Sequence, residues 1–453
     1  MIKKFIDRVF SGRLFRSGSA EPVVIPAGRH HIPRNHISRC ALRTVETLQE
    51  EGFQAYIVGG AVRDLVLGLT PKDFDVATAA TPEQVRGIFR RSRIIGRRFR
   101  IVHVLCSADM VEVATFRGDA TAAGDAQTTD EHGRLIRDNV FGTQAEDARR
   151  RDFTLNALFY DPVREEIIDY VDGYADLKAK TLRLIGDPET RYREDPVRML
   201  RAVRIAASRG LEIEARSRKP IRQLAGLLAN VPPSRLHDEM LKLLLSGHAV
   251  AAVSRLRKEG LHGAPMPLLD AVLATEQGER FVTAALKNTD ARIAADKGVS
   301  PGFLFAALLW PEVLAGWRKG ESAGLKTMPA LAEAMDKAID VQVERMAIPR
   351  RLTADMREIW SLQSRFPQRA GARPFRLLEH PRFRAAYDFL LLRCTAGEQP
   401  AELGDWWTRF QEASNEARQA MLIPDAPGRG APSGRRRRRR GKGPAGGAPA
   451  AAD

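Results

Sequence analysis

The sequence predicts an α+β fold: a region of mixed strands and helices, then an all-helical region and a basic C-terminal segment. Three observations predict it. Short runs rich in β-branched residues alternate with helical patterns from about residue 39 to about residue 190. Beyond that point the strand patterns fade, and apolar residues recur at helical spacing. From about residue 424 the chain consists largely of Pro, Gly, Ala and Arg, a composition typical of disorder.

The mixed region contains five predicted strands, one capped helix and one long polar loop. The strands are AYIVGG, DFDVAT, RIVHVLC, VEVATFR and EIIDYVDG. In TPEQVRGIFRR, Thr81 is a good N-cap, Pro82 suits the first helical position, and Gln84 completes a capping box. The loop at 118–134 is small and polar, and a loop of that length is usually functional or disordered.

The later part of the chain is predicted to be helical, with its Leu and aromatic stripes forming helix–helix contacts. The helical patterns are EDPVRMLRAVRIAASRG, PPSRLHDEMLKLLLSGHAVAAVSRLRKEG and RPFRLLEHPRFRAAYDFLLLRC. We therefore divide the 453 residues into five segments: an N-terminal extension without a core of its own (1–38), a mixed head (39–190), a helical neck (191–260), a helical body (261–424) and a disordered Arg-rich tail (425–453).

The charge of the chain indicates a polyanionic partner. The net charge is +16, and the segment from Ala426 onward carries +7 of it, which leaves +9 for the rest. Both parts would attract nucleic acid, with binding that weakens as salt rises. The simpler alternative for the tail is a solubilising segment. Its arginine run comprises Arg435, Arg436, Arg437, Arg438, Arg439 and Arg440.

Composition also restricts the location of the protein. Its three cysteines, Cys40, Cys106 and Cys394, lack metal-ligand spacing, and such sparse cysteine usage fits a reducing cytosol. No apolar run approaches the roughly 20 residues that span a bilayer, so membrane insertion is not expected. The start of the chain, MIKKFIDRVFSGRLF, is a short basic amphipathic segment, either a flexible start or a weak contact for an anionic membrane surface. We expect a cytoplasmic protein, with a monomer as the default state.

Two aspartates one residue apart indicate a metal site. On a strand, Asp73 and Asp75 would project from the same face, with Phe74 turned to the core. Two carboxylates that close repel each other unless a cation lies between them. Hard divalent ions such as Mg²⁺ take oxygen ligands and bridge carboxylates to phosphates. Glu112 in VEVATFR is well placed by pattern to supply a third carboxylate. Taken alone, Asp-x-Asp is more often a turn or a solvated strand end.

Two glycines lie just upstream of these aspartates. Gly59 and Gly60 end a predicted strand and open the helix AVRDLVLG. Backbone amides at such a position can approach phosphates closely, and a helix N-terminus favours an anion. Arg63 on the first turn can add a charge-assisted contact. A bare Gly-Gly is usually only a tight turn, so the prediction depends on its combination with the aspartates.

The stretch YIVGGAVRDLVLG…PKDFDVAT resembles the first motif of the class II nucleotidyltransferases, the polymerase-β-like group of tRNA CCA-adding enzymes and bacterial poly(A) polymerases. RRDFTLNALFY, DYVDGYADL and EDPVRMLRAVR resemble the later motifs, in order. In DYVDGYADL, Tyr174 stands where glycine is common in this group, and this departure should alter only a structural turn. The resemblance spans about residues 50–420. It implies a nucleotidyltransferase head with a small mixed sheet, followed by helical domains.

The resemblance also assigns roles to the later motifs. The cluster of Arg150, Arg151 and Asp152 would bind the ribose and the triphosphate, and Asp152 would also support the metal-site carboxylates. A 2′-hydroxyl needs a hydrogen-bonding partner if ribonucleotides are to be preferred. Asn156 lies four residues after Asp152, so on a helix it would face the same site.

A second pair of charged residues is predicted to select the base. Asp195 and Arg198 are three residues apart on a predicted helix, hence on one face, although Asp195 before Pro196 also resembles a plain N-cap. By resemblance, Arg198 donates to a ring nitrogen and Asp195 accepts from an exocyclic amine. Adenine and cytosine match that pattern, whereas guanine and uracil reverse it. The pair cannot separate A from C.

One further stretch favours the poly(A) polymerases over the CCA-adding enzymes. RIIGRRFRIVHVL resembles the poly(A) polymerase form, in which Arg97, Arg98 and Arg100 can contact triphosphate or RNA. His103 in the same stretch is more simply a packing residue. An arginine tail also suits an enzyme that grips varied RNA 3′ ends.

The resemblance therefore implies template-independent addition of AMP from ATP to RNA 3′ ends, with two Mg²⁺ ions, which Mn²⁺ can replace, and a role with RNA-decay machinery. The alternatives are a CCA-adding enzyme and a noncatalytic RNA-binding protein with a degenerate domain. Intact charged motifs argue against the latter.

Overall fold

The computed structural model describes residues 21–96, 100–107, 109–118, 127–129, 135–138, 140–267, 269, 273 and 275–423. The predicted RNA contacts Arg97 and Arg98, the six tail arginines and the amphipathic start lie outside these ranges. None of the helices in the described ranges is both long enough and apolar enough to span a membrane.

A mixed sheet forms the centre of the head. Its strands are β1 (Val23–Pro26), β2 (Ala55–Val58), β3 (Asp75–Thr78), β4 (Ser92–Ile95), β5 (Ile101–Leu105), β6 (Met110–Thr115), β9 (Leu158–Asp161) and β10 (Glu166–Asp169), in the order β1-β10-β9-β2-β3-β6-β5-β4. The β3–β6 pair is parallel, and the other pairs are antiparallel. A separate antiparallel pair consists of β7 (Gln127–Thr129), which lies within the region predicted to be a loop, and β8 (Leu135–Asp138), which follows that region.

Short helices surround this sheet. They are α1 (Ala27–His30), α2 (Arg39–Glu50), α3 (Gly60–Val66), α4 (Pro82–Ile88), α5 (Gln144–Arg150) and α6 (Gly173–Lys178). The capping box predicted for α4 is confirmed, because the Thr81 hydroxyl accepts from the Gln84 amide and the Gln84 side chain accepts from the Thr81 amide. Thr143 and Glu146 form the same arrangement at the start of α5.

The head sheet includes one strand that precedes the predicted start of the head at residue 39. Strand β1 pairs with β10 from Val23 to Pro26, and Ile25 on this strand is buried in the core. Residues 23–26 therefore extend the head sheet. This strand was not predicted, because a four-residue edge strand next to Pro and Gly residues is too short to show an alternating pattern.

The turn that follows β10 accommodates the tyrosine that departs from the family pattern. The Asp169 carboxylate accepts hydrogen bonds from the amides of Val171, Gly173 and Tyr174. A Cβ on Gly173 would lie only 2.1 Å from the carbonyl oxygen of Thr154, so this position requires glycine. Tyr174 is buried, so the departure is accommodated within a structural turn.

The rest of the described chain is almost entirely helical, as predicted. Helix α7 (Pro188–Glu194) crosses the predicted boundary between head and neck, and the neck continues with α8 (Val197–Arg209), α9 (Ala215–Arg218), α10 (Ile221–Leu224), α11 (Pro233–Leu244) and α12 (Ala249–Glu259). The short strand β11 (Thr181–Leu182), before that boundary, pairs in parallel with β12 (Glu212–Ile213) of the neck. The body contains α13 (Glu276–Ala294), α14 (Pro301–Ser322), α15 (Thr327–Arg345), α16 (Arg350–Gln363), α17 (Arg373–Leu378), α18 (Phe383–Thr395), α19 (Ala401–Glu412) and α20 (Asn415–Ala420).

The hydrophobic core does not divide at the predicted segment boundaries. One cluster of buried side chains runs from Ile25 in the head through the neck to Ala396 in the body. A second cluster, rich in aromatic residues, joins α16 to α19 between Leu362 and Phe410. Head and neck therefore share packing, which fixes the neck helices against the sheet. The five-segment division stays a prediction.

A disulfide joins Cys40 on α2 to Cys106 after β5, with 5.9 Å between their Cα atoms. Their 66-residue separation gives no indication of this pairing in the sequence. Cys394 is a free thiol.

Candidate active site

A polar cleft of about 280 Å³ opens where the head meets the neck. Its lining combines nine residues that the sequence singled out with one that it did not, Arg201; the nine are Gly59, Gly60, Asp75, Arg150, Arg151, Asp152, Asn156, Asp195 and Arg198. These residues come from the ends of head strands and helices and from the first long helix of the neck. The structure therefore brings together residues that are far apart in the sequence. The largest separation is the 142 positions from Gly59 to Arg201.

The predicted metal-site carboxylates lie at this cleft and beside it: Asp75 is in its lining, whereas Asp73 and Glu112 are not. Asp75 begins β3 and lies opposite Glu112 on the parallel strand β6. Phe74 is buried, as predicted from the alternation. Asp73 precedes the strand rather than lying within it. Loss of hydration raises the pKa of Asp75 to about 6, and the charges of Glu112 and Asp73 add to this rise.

This arrangement fits a divalent cation. The donors are all carboxylate oxygens, and their mutual repulsion is what a cation would relieve. Asp73 and Asp75 are the residues that would hold it, beside Glu112. Among the described residues, no three His, Cys, Asp or Glu side chains converge as a complete metal site. Phosphate oxygens of a bound nucleotide would supply the missing ligands.

Two glycines form the floor of the cleft beside these carboxylates. Gly59 has a φ of +73°, a conformation that favours glycine. A Cβ at this position would lie 3.6 Å from Asp75 Oδ2 and 3.7 Å from Arg151 Nη1. Both are ordinary contact distances, so the positive φ, and not a lack of space, is what favours glycine here. Gly60 opens α3 as predicted.

Arg63 does not line the cleft, contrary to the predicted phosphate contact. Its guanidinium is buried, and it donates to Asp64 Oδ1 at 2.8 Å and to Asn156 Oδ1 at 2.9 Å. Arg209 of the neck donates to the same Asp64 carboxylate at 2.7 and 2.8 Å. The side chain turns away from the cleft because Asp64 offers a buried partner for its charge. Arg63 is thus placed to orient Asn156.

The two arginines of the second motif end α5 at the edge of the cleft. Arg150 donates to the carbonyl of Gly118, and Arg151 forms an ion pair of 2.9 Å with Asp147 one turn earlier. Arg191 of the neck donates to the carbonyls of both, at 2.7 and 2.8 Å. These bonds fix the turn that carries both arginines into the cleft lining.

Asp152 lies in the cleft wall together with Asn156. Its Oδ1 accepts from the Phe153 amide at 2.8 Å and from Asn156 Nδ2 at 3.1 Å. Burial alone would raise the pKa of Asp152, but Arg201 and these donors bring it below its ordinary value. The supporting role predicted for Asp152 stays a prediction. Asn156 reaches it from a 3₁₀ turn, Thr154–Asn156, and not from the predicted α-helix.

The predicted base-reading pair also meets in the cleft, although not on one helix. Asp195 ends α7 with extended backbone and caps no helix through its side chain, while Arg198 lies on α8. Asp195 Oδ2 accepts from Arg235 at 3.0 Å, and its Oδ1 is buried without a hydrogen-bond partner in the described ranges. Arg198 donates to the Arg191 carbonyl at 2.7 Å and to Glu194 at 3.0 Å.

The remaining described candidates lie away from the cleft lining. Arg100 forms an exposed ion pair of 2.5 Å with Glu83, so its charge is partly matched within the head. His103 on β5 lies opposite Glu112, with 3.3 Å between Nε2 and Oε1. The histidine predicted to be a packing residue is thus in contact with the third candidate carboxylate.

Sequence reasoning missed Arg201 and Lys242. Arg201 lines the cleft one turn after Arg198, and the repeated spacing Asp195, Arg198, Arg201 would have indicated it. The positive charge of Lys242 on α11 lowers the pKa of Asp75, whereas the charges of the neighbouring acids raise it. No sequence pattern links Lys242 to the aspartates, because it depends on how the neck folds against the head.

The chain matches three family descriptions: "Poly A polymerase head domain" at residues 55–183, "Probable RNA and SrmB- binding site of polymerase A" at 210–273, and "Polymerase A arginine-rich C-terminus" at 323–442. It is similar to "Poly(A) polymerase I" of Salmonella typhi, with 45% identity over 433 residues, covering 93% of this chain and 92% of the relative. The chain belongs to the bacterial poly(A) polymerase family.

CCA-adding enzymes are more distant relatives. Similarity to the "CCA-adding enzyme" of Bacillus pumilus is 38% over 217 residues, which covers 48% of this chain and 52% of that protein. Among solved structures, the Bacillus stearothermophilus CCA-adding enzyme in complex with CTP matches with a TM-score of 0.56 and 26% identity, over 82% of this chain and 81% of that one. The poly(A) polymerase family thus shares its nucleotidyltransferase fold with the CCA-adding enzymes.

Proposed function

We propose that this protein is a template-independent poly(A) polymerase that uses the cleft between head and neck to add AMP from ATP to RNA 3′ ends. It is a polynucleotide adenylyltransferase. The RNA 3′-hydroxyl attacks the α-phosphate of ATP, a new phosphodiester bond forms, and pyrophosphate leaves. Repetition of this step extends the RNA by adenylates.

The carboxylate side of the cleft is the place for the reacting phosphate. Asp73 and Asp75 would hold Mg²⁺, for which Mn²⁺ could substitute, and Glu112 stands beside them. The bound ions supply positive charge at the attacking hydroxyl and the leaving pyrophosphate. The backbone at Gly59 and Gly60, together with Arg150 and Arg151, surrounds the triphosphate with donors and positive charge.

The neck side of the cleft is the place for the base. Asp195 Oδ1 is a buried acceptor without a partner among the described residues, and an exocyclic amine would satisfy it. Arg198 lines the cleft one helical turn away and can donate to a ring nitrogen. Adenine offers an amine and a ring acceptor in this arrangement. Guanine and uracil would leave the Asp195 acceptor unsatisfied, which costs binding free energy.

One observation carries the choice of poly(A) addition over CCA addition. Similarity to a poly(A) polymerase extends over 93% of the chain, head and helical body included, whereas similarity to a CCA-adding enzyme covers 48%. The body is therefore of the poly(A) polymerase type. Cytidine addition to tRNA stays the alternative that the experiment below can reveal.

The proposal is tested by primer extension. Purified protein is given a labelled generic RNA, Mg²⁺ and each ribonucleotide separately, with a chelator in a parallel series. Long products with ATP, absent with the other nucleotides and with chelator, support the proposal. Addition of cytidine but not runs of adenosine would contradict it.

RNA is the partner of the basic surface. We propose that the tail arginines from Arg435 to Arg440, with Arg97, Arg98 and Arg100, hold RNA by contacts to phosphate. Cooperation with RNA-decay machinery, a monomeric state, a cytoplasmic location and weak membrane contact by the first residues are further predictions.

A further inference from the structure

The disulfide of the head ties the end of a strand pair to a helix that packs on the sheet. Cys40 lies in the first turn of α2, and Cys106 directly follows β5. Beside this bond, the Ser38 hydroxyl donates to the Asp109 carboxylate. The Cys106 amide donates to the Asp109 carbonyl at 2.9 Å, within the connection between β5 and β6. Two adjacent links, one of them covalent, therefore attach this connection to α2.

The β5–β6 connection lies at one end of the strand pair that carries Glu112. Helix α2 packs against β2, β3 and β6, and the last two of these strands carry Asp75 and Glu112 opposite each other. On β5, His103 lies opposite Glu112, with 3.3 Å between Nε2 and Oε1. A link from α2 to the connection therefore fixes β5 and β6 relative to β3. It restricts how far Glu112 can move from Asp75.

The two cysteines differ in access. Cys40 is buried in the core, whereas Cys106 is only half-buried, so a small thiol would reach Cys106 first. A helix N-terminus favours a thiolate, the form that attacks and leaves in thiol–disulfide exchange, and Cys40 is in such a position. Burial instead raises the pKa of the Cys394 thiol. An accessible sulfur bonded to a good leaving group is the arrangement of an exchangeable disulfide.

ATP and RNA, the substrates of the proposed function, occur in a compartment whose thiol pool is reducing. Disulfides there are usually transient and redox-sensing. We propose that Cys40 and Cys106 form a reversible redox site, which exchanges with a small thiol of the glutathione type and controls how firmly the β5–β6 connection is held to α2. The inference rests on the proposed function for the compartment and for the effect on activity. It goes beyond that function, because it adds a regulatory site outside the cleft lining.

Oxidation proceeds by two exchange steps. The Cys106 thiolate attacks a sulfur of oxidised glutathione, and one glutathione thiolate leaves. The Cys40 thiolate then attacks the Cys106 sulfur of the mixed disulfide and displaces the second glutathione thiolate. Two protein thiols are oxidised, one glutathione disulfide is reduced to two thiols, and the two protons pass from the protein to the departing thiolates. Reduction reverses these steps, with attack at Cys106 and departure of Cys40.

The oxidised form is expected to hold Glu112 more firmly. After reduction, the Ser38–Asp109 hydrogen bond and the pairing of β5 with β6 still hold the connection, but the covalent link is lost. Groups that orient a metal ligand typically contribute about tenfold to 100-fold to metal affinity. Loosening such a constraint should raise the Mg²⁺ concentration for half-maximal AMP addition by about threefold or more. Oxidation would then increase AMP addition when Mg²⁺ is limiting.

The first test counts thiols. The full chain is equilibrated in glutathione buffers from oxidising to reducing, then unfolded and alkylated for mass spectrometry. The wild type should pass from one free thiol to three as the buffers approach the poise of the cytosol. Cys106→Ser should form no internal disulfide. Cys394→Ser is the matched control, because it removes the thiol outside the pair, and it should exchange as the wild type does.

The second test measures hydrogen exchange and single-nucleotide addition on the same samples. Reduction should increase amide exchange in β5 and β6 and leave α18 of the body unchanged. It should raise the half-saturating Mg²⁺ concentration by about threefold or more in the wild type and in Cys394→Ser. Cys106→Ser should match the reduced wild type in both buffers. Cys40→Ala is a second variant that removes the link, in case Cys106→Ser fails to fold.

Three results would overturn the inference. They are a pair that stays reduced in every buffer, a pair that stays oxidised at the glutathione poise of the cytosol, and a Mg²⁺ dependence that is the same in both redox states. If the protein adds no AMP to RNA in either state, the proposed function fails. The thiol counts and the hydrogen exchange of β5 and β6 then decide the inference alone.

Discussion

The acidic residues around the cleft form two groups that differ in how their charge is compensated. The metal-site carboxylates are Asp73, Asp75 and Glu112, and their mutual repulsion with loss of hydration raises the pKa of Asp75. The arginine-paired carboxylates are Asp64 and Asp152. Their pKa values lie below the ordinary range, because neighbouring arginines and hydrogen bonds outweigh burial. The charge of the first group must be compensated by a bound ligand. The charge of the second group is compensated by arginines of the protein itself, so these carboxylates fix the positions of the side chains around them.

The largest effect should come from the metal-site group. Asp75→Asn removes a metal ligand and should reduce AMP addition by about 1,000-fold or more. The loss of one group that stabilises transition-state charge has an effect of this order in other active sites. RNA affinity should be unchanged, because no basic surface is lost. Tailing assays and filter binding on the same preparation check both parts. Near-normal tailing by this variant would contradict the metal assignment.

The second prediction concerns the arginine-paired group. Asp64→Asn leaves the buried Arg63 without a full counter-charge and should lower the free energy of unfolding by about 3 kcal/mol. Urea unfolding without metal measures this change. Asp75→Asn serves as the control, and it should unfold no more easily than the wild type because it relieves repulsion. Equal destabilisation by both substitutions would remove the distinction between the groups.

The pH dependence should separate the groups further. Because the folded pKa of Asp75 is raised to about 6, its ionisation disfavours the metal-free fold as pH rises from about 4 to 6. Ionisation of Asp64 has the opposite effect, since its folded pKa is lowered and its stabilisation is lost as the pH falls below about 4.

Binding of a divalent ion should report the raised pKa of Asp75 directly. Affinity should fall by up to about tenfold per pH unit below pH 6, because the ion competes with the proton on Asp75. Calorimetric titration of Mg²⁺ in the presence of ATP between pH 5 and pH 8 tests this prediction. An affinity that does not change with pH across this range would show that Asp75 is ionised throughout.

The sequence predicted the components of the site better than their contacts. The Asp73–Asp75 pair, the glycines and the charged motifs were recognisable because each has a fixed local spacing. The roles of Arg63 and Arg201 were not, because they depend on Asp64 and Asp152 meeting helix α8 across the head–neck junction. Long-range pairing of this kind leaves no local pattern.

The fold followed the same rule. Strands and helices with clear periodicity were predicted close to their observed bounds, such as α4 with its capping box. The edge strand Val23–Pro26 and the disulfide between Cys40 and Cys106 were missed. Each depends on a partner far along the chain, at Glu166–Asp169 for the strand and 66 residues away for the disulfide.

The smallest predicted effect concerns the basic residues of the C-terminal tail. Most arginines described above lie in ion pairs, whereas the tail supplies eight basic side chains against one acidic residue, Asp453. Deletion from Ala426 onward should weaken RNA affinity severalfold and flatten its dependence on salt. Binding measured between 50 and 200 mM salt, against the full-length chain, checks this. An unchanged slope would show that the tail makes no phosphate contacts.

The central claim is that this cleft adds adenylates to RNA without a template. The most direct test gives the protein ATP and CTP together, with a generic RNA and a tRNA that lacks its CCA end in the same reaction. We predict long adenylate tails on the generic RNA, with no requirement for tRNA. Addition of cytidines followed by one adenosine, confined to the tRNA, would contradict the account and identify CCA addition instead.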